Sequence, residues 1–210
     1  MSRPLISFFL ILGVIASLFL FRSVARAKTP APPVQAGVPV VLAGPRMKGD
    51  PAAPVKIIEF TDFQCPACAR ANVIMESLLK QYPGKIFVEH RHFPLPRHPH
   101  ARRASLYAQC AAAQRKFWAM HDVLFKSQSS WAEMNTVDAY FGELAVSLGM
   151  DGLPLTACVN SPATEKVIEA DIAEGKSRGA DSTPTFLVNG KLAVGAAQLT
   201  AAVEAAMGKK

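Results

Sequence analysis

The residues from Leu5 to Phe21 are apolar except at Ser7, Gly13 and Ser17. Further along, the hydrophobic pattern shortens and becomes periodic. Lys56 to Phe60 is a short apolar run bounded by polar and turn residues, which predicts a buried strand. From Ala67 through Leu79 the apolar positions Val73, Ile74, Leu78 and Leu79 recur at roughly helical spacing, so a helix begins at Cys65 with Pro66 at its first position. Lys85 to Phe93 alternates apolar and polar residues and predicts a second core strand, after which PLPRHP breaks regular structure.

A helical block follows, from about residue 97 to residue 178. His100 to about Ser127 is helical in pattern, with an interruption near Gln114 to Lys116. Another helix is expected over Glu133 to Leu148 before Gly149, and Ser161 and Pro162 open a further one as N-cap and first-turn residue. Thr185 to Val188 then reads as a strand, Asn189-Gly190 as a tight hairpin turn, Lys191 to Val194 as the partner strand and Gln198 to Met207 as a closing helix. Upstream of the first strand, Lys28 to Gln35 reads as an extended linker, Val38 to Leu42 as an edge strand, and GPRMKGDPAAP as a turn-rich approach. There is no internal repeat.

The opening segment is a targeting element. Arg3 precedes the apolar run, and Ala25-Arg26-Ala27 after it has the small-x-small form of a signal-peptidase site. The run is longer than a common signal core of about 7 to 15 residues and just short of a membrane helix of about 20, so a cleaved signal and an uncleaved anchor both stay open. Arg22, Arg26 and Lys28 follow the run, a distribution that by the positive-inside rule favours a cytosolic domain. Four cysteines argue instead for an oxidising compartment. The expected organisation is a signal peptide or anchor over 1–27, a linker and edge strand over 28–46, and one domain over 47–208. Net charge is +7, of which the first 27 residues hold three arginines and no acid. The +4 that remains does not point to nucleic acid, and no Lys/Arg run with interleaved aromatics supports such a partner.

Chemistry is concentrated where the first strand meets the first helix. Cys65 and Cys68 straddle a helix N-terminus, where unpaired N–H groups and the helix dipole stabilise a thiolate. Cys65, the first of the pair, is the candidate nucleophile and Cys68, one turn on, the resolving thiol. The reaction implied is dithiol-disulfide exchange. Cys110 and Cys158, in the helical block, are either a structural disulfide, as an oxidising compartment would allow, or two buried free thiols. His90, His92, His98 and His100 with the cysteine pair raise metal binding as a rival chemistry, but they lack the spacing of a known finger, so no metal ligand is assigned. Phe117, Trp118 and Phe125 read as core residues sharing a helix face.

Together, EFTDFQCPAC, FPLPRHPHARRA, QRKFWAMHDVLF and STPTFLVNGK resemble the DsbA-like group of thioredoxin-fold thiol-disulfide oxidoreductases, over about Met47 to Met207. The resemblance implies an α/β thioredoxin-like fold with a helical insertion between the two halves of its core. It implies that Glu59, six residues before Cys65, matches the buried acid of such proteins, which can accept or return the Cys68 proton. It also implies that Thr183-Pro184 is the cis-proline loop that offers backbone groups to a substrate peptide. Two departures stand out. Pro66-Ala67 lacks the histidine at the second position of strongly oxidising relatives, so a less extreme oxidant is expected, and Asp181-Ser182 stands where a glycine often precedes the Thr-Pro.

The reading is therefore an exported, periplasmic or extracytoplasmic thiol-disulfide oxidoreductase, a dithiol oxidase acting on unfolded or reduced exported proteins. It calls for no cofactor, touches a membrane only through an N-terminal anchor, and by resemblance is reoxidised by a quinone-linked membrane partner. The alternatives are a reductase or isomerase using the same residues, and a metal-binding chaperone. Isomerases of this fold usually dimerise through an added N-terminal domain, and only a linker and one strand are read before the core here.

Overall fold

The computed structural model describes residues 46–208. The apolar run, the Ala25-Arg26-Ala27 motif, the linker and the expected edge strand at Val38 to Leu42 lie outside the described residues. Five strands form one mixed sheet in the order β1-β3-β2-β4-β5. They are β1 (Met47–Gly49), β2 (Val55–Thr61), β3 (Ile86–His92), β4 (Thr185–Val188) and β5 (Lys191–Val194). β2 and β3 are parallel and joined by helix α1 (Pro66–Gln81), whereas β1 on β3, β4 on β2 and β5 on β4 are antiparallel. Between β3 and β4 come α2 (Ala101–Ala113), α3 (Phe117–Lys126), α4 (Gln128–Trp131), α5 (Asp138–Ser147), α6 (Gly152–Val159) and α7 (Pro162–Ser177), and α8 (Gly195–Ala206) follows β5. This is the expected α/β thioredoxin-like arrangement with its helical insertion.

Alternation along the strands assigns the two faces of the sheet. Val55 and Ile57 on β2, Ile86 and Val88 on β3, and Phe186 and Val188 on β4 pack with Ala71, Met75 and Leu78 of α1 and Leu199 and Val203 of α8. Phe60, Phe93, Leu95 and Leu187 form the opposite layer, where Ile172 of α7 packs against them. The insertion has its own core around Phe117, Met120, Leu124, Trp131 and Phe141, continuous with Cys65 and Cys68.

Local chemistry explains the boundaries. The interruption after α2 falls at Arg115, whose φ of 59° turns the chain while the Lys116 N–H donates to Ala111 O at 2.8 Å. Asn189 and Gly190 both take positive φ, 48° and 80°, as a two-residue hairpin turn demands. The Asn189 side chain also accepts from the Lys56 N–H at 2.7 Å, locking the hairpin to β2.

Five elements differ from the sequence expectation, one of them the short α4 (Gln128–Trp131), which falls between two expected helices. The edge strand of the described sheet is β1, inside the stretch read as turn-rich. Three residues are too short to show a period, and what makes the strand is pairing with β3 from Met47↔Glu89 to Gly49↔Phe87. The helix expected from Glu133 starts only at Asp138, because the chain first dips to bury Trp131, whose indole donates to Leu124 O at 3.0 Å. α6 was not foreseen; Asp151 caps it by accepting from the Leu153 N–H at 3.1 Å. α8 begins at Gly195, three residues early, with Gln198 Oε1 accepting from the Val194 N–H at 2.8 Å.

Cys110 and Cys158 are joined by a disulfide across 48 residues, linking α2 to α6. Closing a loop of that size stabilises the fold by about 4 kcal/mol in the chain-entropy account.

The α7 face against the sheet admits no side chain at Gly175. A Cβ there would lie 2.7 Å from the Phe93 ring and 2.9 Å from Phe60, both buried. Gly175→Ala gains about 1 kcal/mol of helix propensity, and overpacking two fixed rings costs about 1–3 kcal/mol. We expect a net loss of about 1 kcal/mol in denaturant unfolding. An unchanged midpoint would show that the layer between α7 and the sheet is loosely packed.

Candidate active site

β2 ends at Thr61 and the chain turns over four residues, Asp62 to the N-cap Cys65, into α1, so the turn sets where the cysteines stand. Asp62 shapes it. Its side chain is fully buried, and one carboxylate oxygen accepts from the N–H groups of Gln64 at 2.7 Å and Cys65 at 3.2 Å. The other accepts from the Leu95 N–H at 2.8 Å and lies 2.7 Å from His98 Nδ1. Cys65 is extended at the N-cap, φ −74° and ψ 120°, with Pro66 next. Its carbonyl accepts from the Cys68 and Ala69 N–H groups at 3.0 and 3.2 Å, the first bonds of the helix.

The insertion holds this turn from the other side. Gln128, at the start of α4, donates to Phe63 O at 2.7 Å and to Cys65 O at 3.1 Å. Gln64 donates to Ala132 O at 2.7 Å and accepts from the His100 N–H at 2.6 Å, and His100 Nε2 donates to Met134 O at 2.6 Å. His98 and His100 therefore position the loop.

Cys65 and Cys68 are both reduced here, and their environments push them apart. The hydrogen bond from the Cys68 thiol is the largest influence on Cys65. Together with the Cys68 and Ala67 amides it outweighs burial and brings the Cys65 pKa down to about 5. Burial raises Cys68 well above the ordinary thiol range, and the neighbouring Cys65 sulfur adds to that effect. One sulfur is thus a thiolate at neutral pH and the other a thiol that donates to it.

The Thr183-Pro184 bond is cis, and Cys65 Sγ lies 3.5 Å from Thr183 O. The loop is secured by Thr185 Oγ1 donating to Ser182 O at 2.8 Å and by the Gly195 N–H donating to Pro184 O at 2.9 Å. Ser182, where a glycine was noted as common, hydrogen-bonds Asp181 at 2.9 Å.

Glu59 is buried on the insertion-facing side of β2, and burial raises its pKa while His121 and Lys48 oppose the rise. Among the described residues no hydrogen bond joins it to Cys68. Its carboxylate instead faces His121 Nε2 at 3.8 Å and sits opposite His90 in the β2–β3 register. The expectation that it exchanges a proton with Cys68 thus meets burial without a contact. Sequence reading missed Asp62, Gln128 and His121. An aspartate two residues before a turn amide was the available signal for Asp62, whereas Gln128 and His121 become visible only once the insertion folds back.

A family model described as Thioredoxin matches residues 43–205. The chain is 32% identical over 163 residues to the Na(+)/H(+) antiporter NhaA 1 of Mycobacterium sp. (strain KMS), covering 76% of this chain and 26% of that protein. It thus spans about a quarter of the length of the curated relatives it matches. No helix among the described residues is long and apolar enough to cross a membrane. A thioredoxin-like oxidoreductase from Silicibacter pomeroyi DSS-3 superposes with TM-score 0.64 at 25% identity, over 78% of this chain and 92% of that one. Oxidised BdbD from Bacillus subtilis superposes with TM-score 0.67 at 22% identity, over 77% and 91%.

The thiol asymmetry has a pH signature. A depressed Cys65 pKa stabilises the reduced form fully above 9.0, the ordinary thiol value, and that stabilisation fades as pH falls and is lost through about 5. Alkylation of the reduced protein, followed by thiolate absorbance, should show one thiol titrating with a midpoint near 5. A single midpoint near 9.0, the ordinary thiol value, would remove the asymmetry.

Proposed function

We propose that this chain, which belongs to the thioredoxin family, is a thiol-disulfide oxidoreductase working as a dithiol oxidase outside the cytoplasm. The observation that carries the reading is the split between the two thiols, an anionic Cys65 at the helix N-cap and a buried, protonated Cys68 one turn in. In the oxidised enzyme a substrate thiolate attacks Cys65. A Cys65–substrate bond forms, the Cys65–Cys68 bond breaks, and Cys68 leaves as a thiolate that takes up a proton. A second substrate thiolate then attacks the substrate sulfur of the mixed disulfide, and Cys65 leaves.

Two electrons have passed from the substrate dithiol to the enzyme. Because Cys65 leaves as a thiolate of pKa about 5, it is the better leaving group of the two sulfurs in the mixed disulfide, and the second step runs toward a finished substrate disulfide. The cis Thr183-Pro184 loop, with its carbonyl against Cys65, is the surface on which an extended reduced polypeptide would lie. Re-forming the enzyme disulfide requires an electron acceptor, assigned here to a quinone-linked membrane protein.

Four observations support this reading. The Cys110–Cys158 bond suits an oxidising compartment, as does the N-terminal apolar run. The 25% identical neighbour is itself called an oxidoreductase. Free cysteines with pKa values from about 3.5 in the strongest oxidants to about 7 in thioredoxin bracket Cys65, consistent with the absent histidine in Pro66-Ala67.

The equilibrium of Cys65–Cys68 in glutathione buffers, read by alkylation and mass spectrometry with the Cys110–Cys158 bond left intact, tests the direction. Between the limits of about −120 mV and about −270 mV we expect about −180 mV, and a value below about −220 mV would make the protein a reductase. Cys68→Ala should accumulate mixed disulfides on Cys65 in reduced substrates, whereas Cys65→Ser should form none. Undiminished oxidation of substrate thiols by Cys65→Ser would overturn the assignment of the nucleophile.

A further inference from the structure

The face of the sheet beneath the cysteines changes character partway along its two parallel strands. β2 runs Val55, Ile57, Glu59 and β3 runs Ile86, Val88, His90, His92 on that face, so apolar pairs give way to an acid beside two imidazoles. α3 brings His121 over them. Glu59, His90 and His121 each direct a ligand atom into one space, those atoms lying within 4.8 Å of one another, and all three residues are buried.

The hydrogen bonds of this cluster do not close. Neither ring nitrogen of His90, which is fully buried, has a partner, and His92 Nδ1 beside it has none. His121 Nδ1 lies 2.8 Å from Asp122 Oδ1 and so carries the proton, which turns the Nε2 lone pair toward Glu59 Oε1 at 3.8 Å. Beside this imidazole–carboxylate pair stands His90 with both ring nitrogens unpartnered. Leaving such groups unsatisfied in an apolar setting is costly, and Phe63 stacked on His90 and Phe117 edge-on to it make this setting apolar.

We propose that Glu59, His90 and His121 form a binding site for a divalent transition-metal ion of borderline softness, represented by Zn2+. Two ligands held about 2.0–2.2 Å from a tetrahedral zinc ion stand about 3.4 Å apart, so the 3.8 Å between Glu59 and His121 needs little change. The widest separation, 4.8 Å, must close by about 1.4 Å. Two neutral imidazoles and one carboxylate are a donor set that zinc takes with a fourth position left over. The Asp122–His121 bond is the outer-sphere contact that fixes the tautomer and aim of a ligating histidine. A dication also balances Glu59 without a proton.

This departs from the sequence reading, which weighed His90, His92, His98 and His100 with the cysteine pair and assigned no metal ligand because they lack the spacing of a known finger. The ligand those four lacked was His121, and His98 and His100 are engaged in the loop. Such an ion would tie β2, β3 and α3 together beneath the redox turn and does not depend on the thiol chemistry proposed above.

The test removes the thiolates so that only this site remains. The full chain carrying Cys65→Ser and Cys68→Ser, stripped with chelator, is titrated with Zn2+ by calorimetry and with Co2+ by visible absorbance. One equivalent of Zn2+ and a tetrahedral Co2+ spectrum without thiolate charge transfer are expected. Adding His90→Phe, which extends the surrounding aromatic packing, should weaken Zn2+ binding at least 100-fold, and Asp122→Asn about 10-fold. No stoichiometric binding to the doubly substituted chain, or equal binding by the His90→Phe form, overturns the proposal. If the His90→Phe form does not fold, the Co2+ spectrum decides, because an octahedral all-oxygen spectrum is incompatible with two imidazoles in a buried tetrahedral site.

Discussion

A single buried carboxylate, that of Asp62, sets the geometry on which the rest depends. Removing an ionisable side chain wholly from water is unfavourable unless its oxygens are met by donors. Asp62 meets three backbone N–H groups and one imidazole, and these come from two chain segments: the turn into α1, and the stretch after β3 that carries Leu95 and His98. The bonds that satisfy the acid therefore also fix Cys65 relative to both parallel strands. The Asp62 N–H, pointing the other way, lies 3.5 Å from Cys68 Sγ, so the same residue touches both halves of the dithiol.

Fixing the turn lets one helix end treat two identical side chains oppositely. Cys65, at the N-cap, receives the Cys68 thiol and nearby amides, while Cys68, one turn in, is enclosed by the core that continues into the insertion. The insertion is thus part of the chemistry as well as its cover. Gln128 and Gln64 exchange hydrogen bonds across the boundary between insertion and turn, and neither could do so if α4 stood a residue away.

How much of this was legible beforehand depends on the range of each interaction. The strands at β2 to β5, the break at Gln114 to Lys116 and the Asn189-Gly190 turn are set by neighbours in sequence, and local pattern identified them. The helix start at Cys65 was legible for the same reason, since Pro66 and the apolar spacing after it are local signals. β1 was missed because its three residues become a strand only against β3. Trp131 displaced the expected start of a helix because burying a large indole outweighs the helix propensity of the residues after it. In the site, the cysteines could be read from spacing and Asp62 carried a local turn signal at Gln64, whereas Gln128 and His121 act across 63 and 62 residues on Cys65 and Glu59, distances in sequence at which no period survives.

The buried row of Glu59, His90 and His92 shows why register matters as much as composition. Had β3 slipped by one residue against β2, both histidines would have turned to the α7 face and Glu59 would have lost its neighbour. Register and the apolar residues at Val55, Ile57, Ile86 and Val88 are one constraint, because the same alternation that buries those four carries the ionisable groups inward. Phe63, two residues before Cys65, stacks on His90 and shares a core with both cysteines. The row is a nitrogen and oxygen donor set and the cysteines are a sulfur pair. Thiolates favour softer ions than imidazole and carboxylate do, so the two sets can share one core without competing for one ligand.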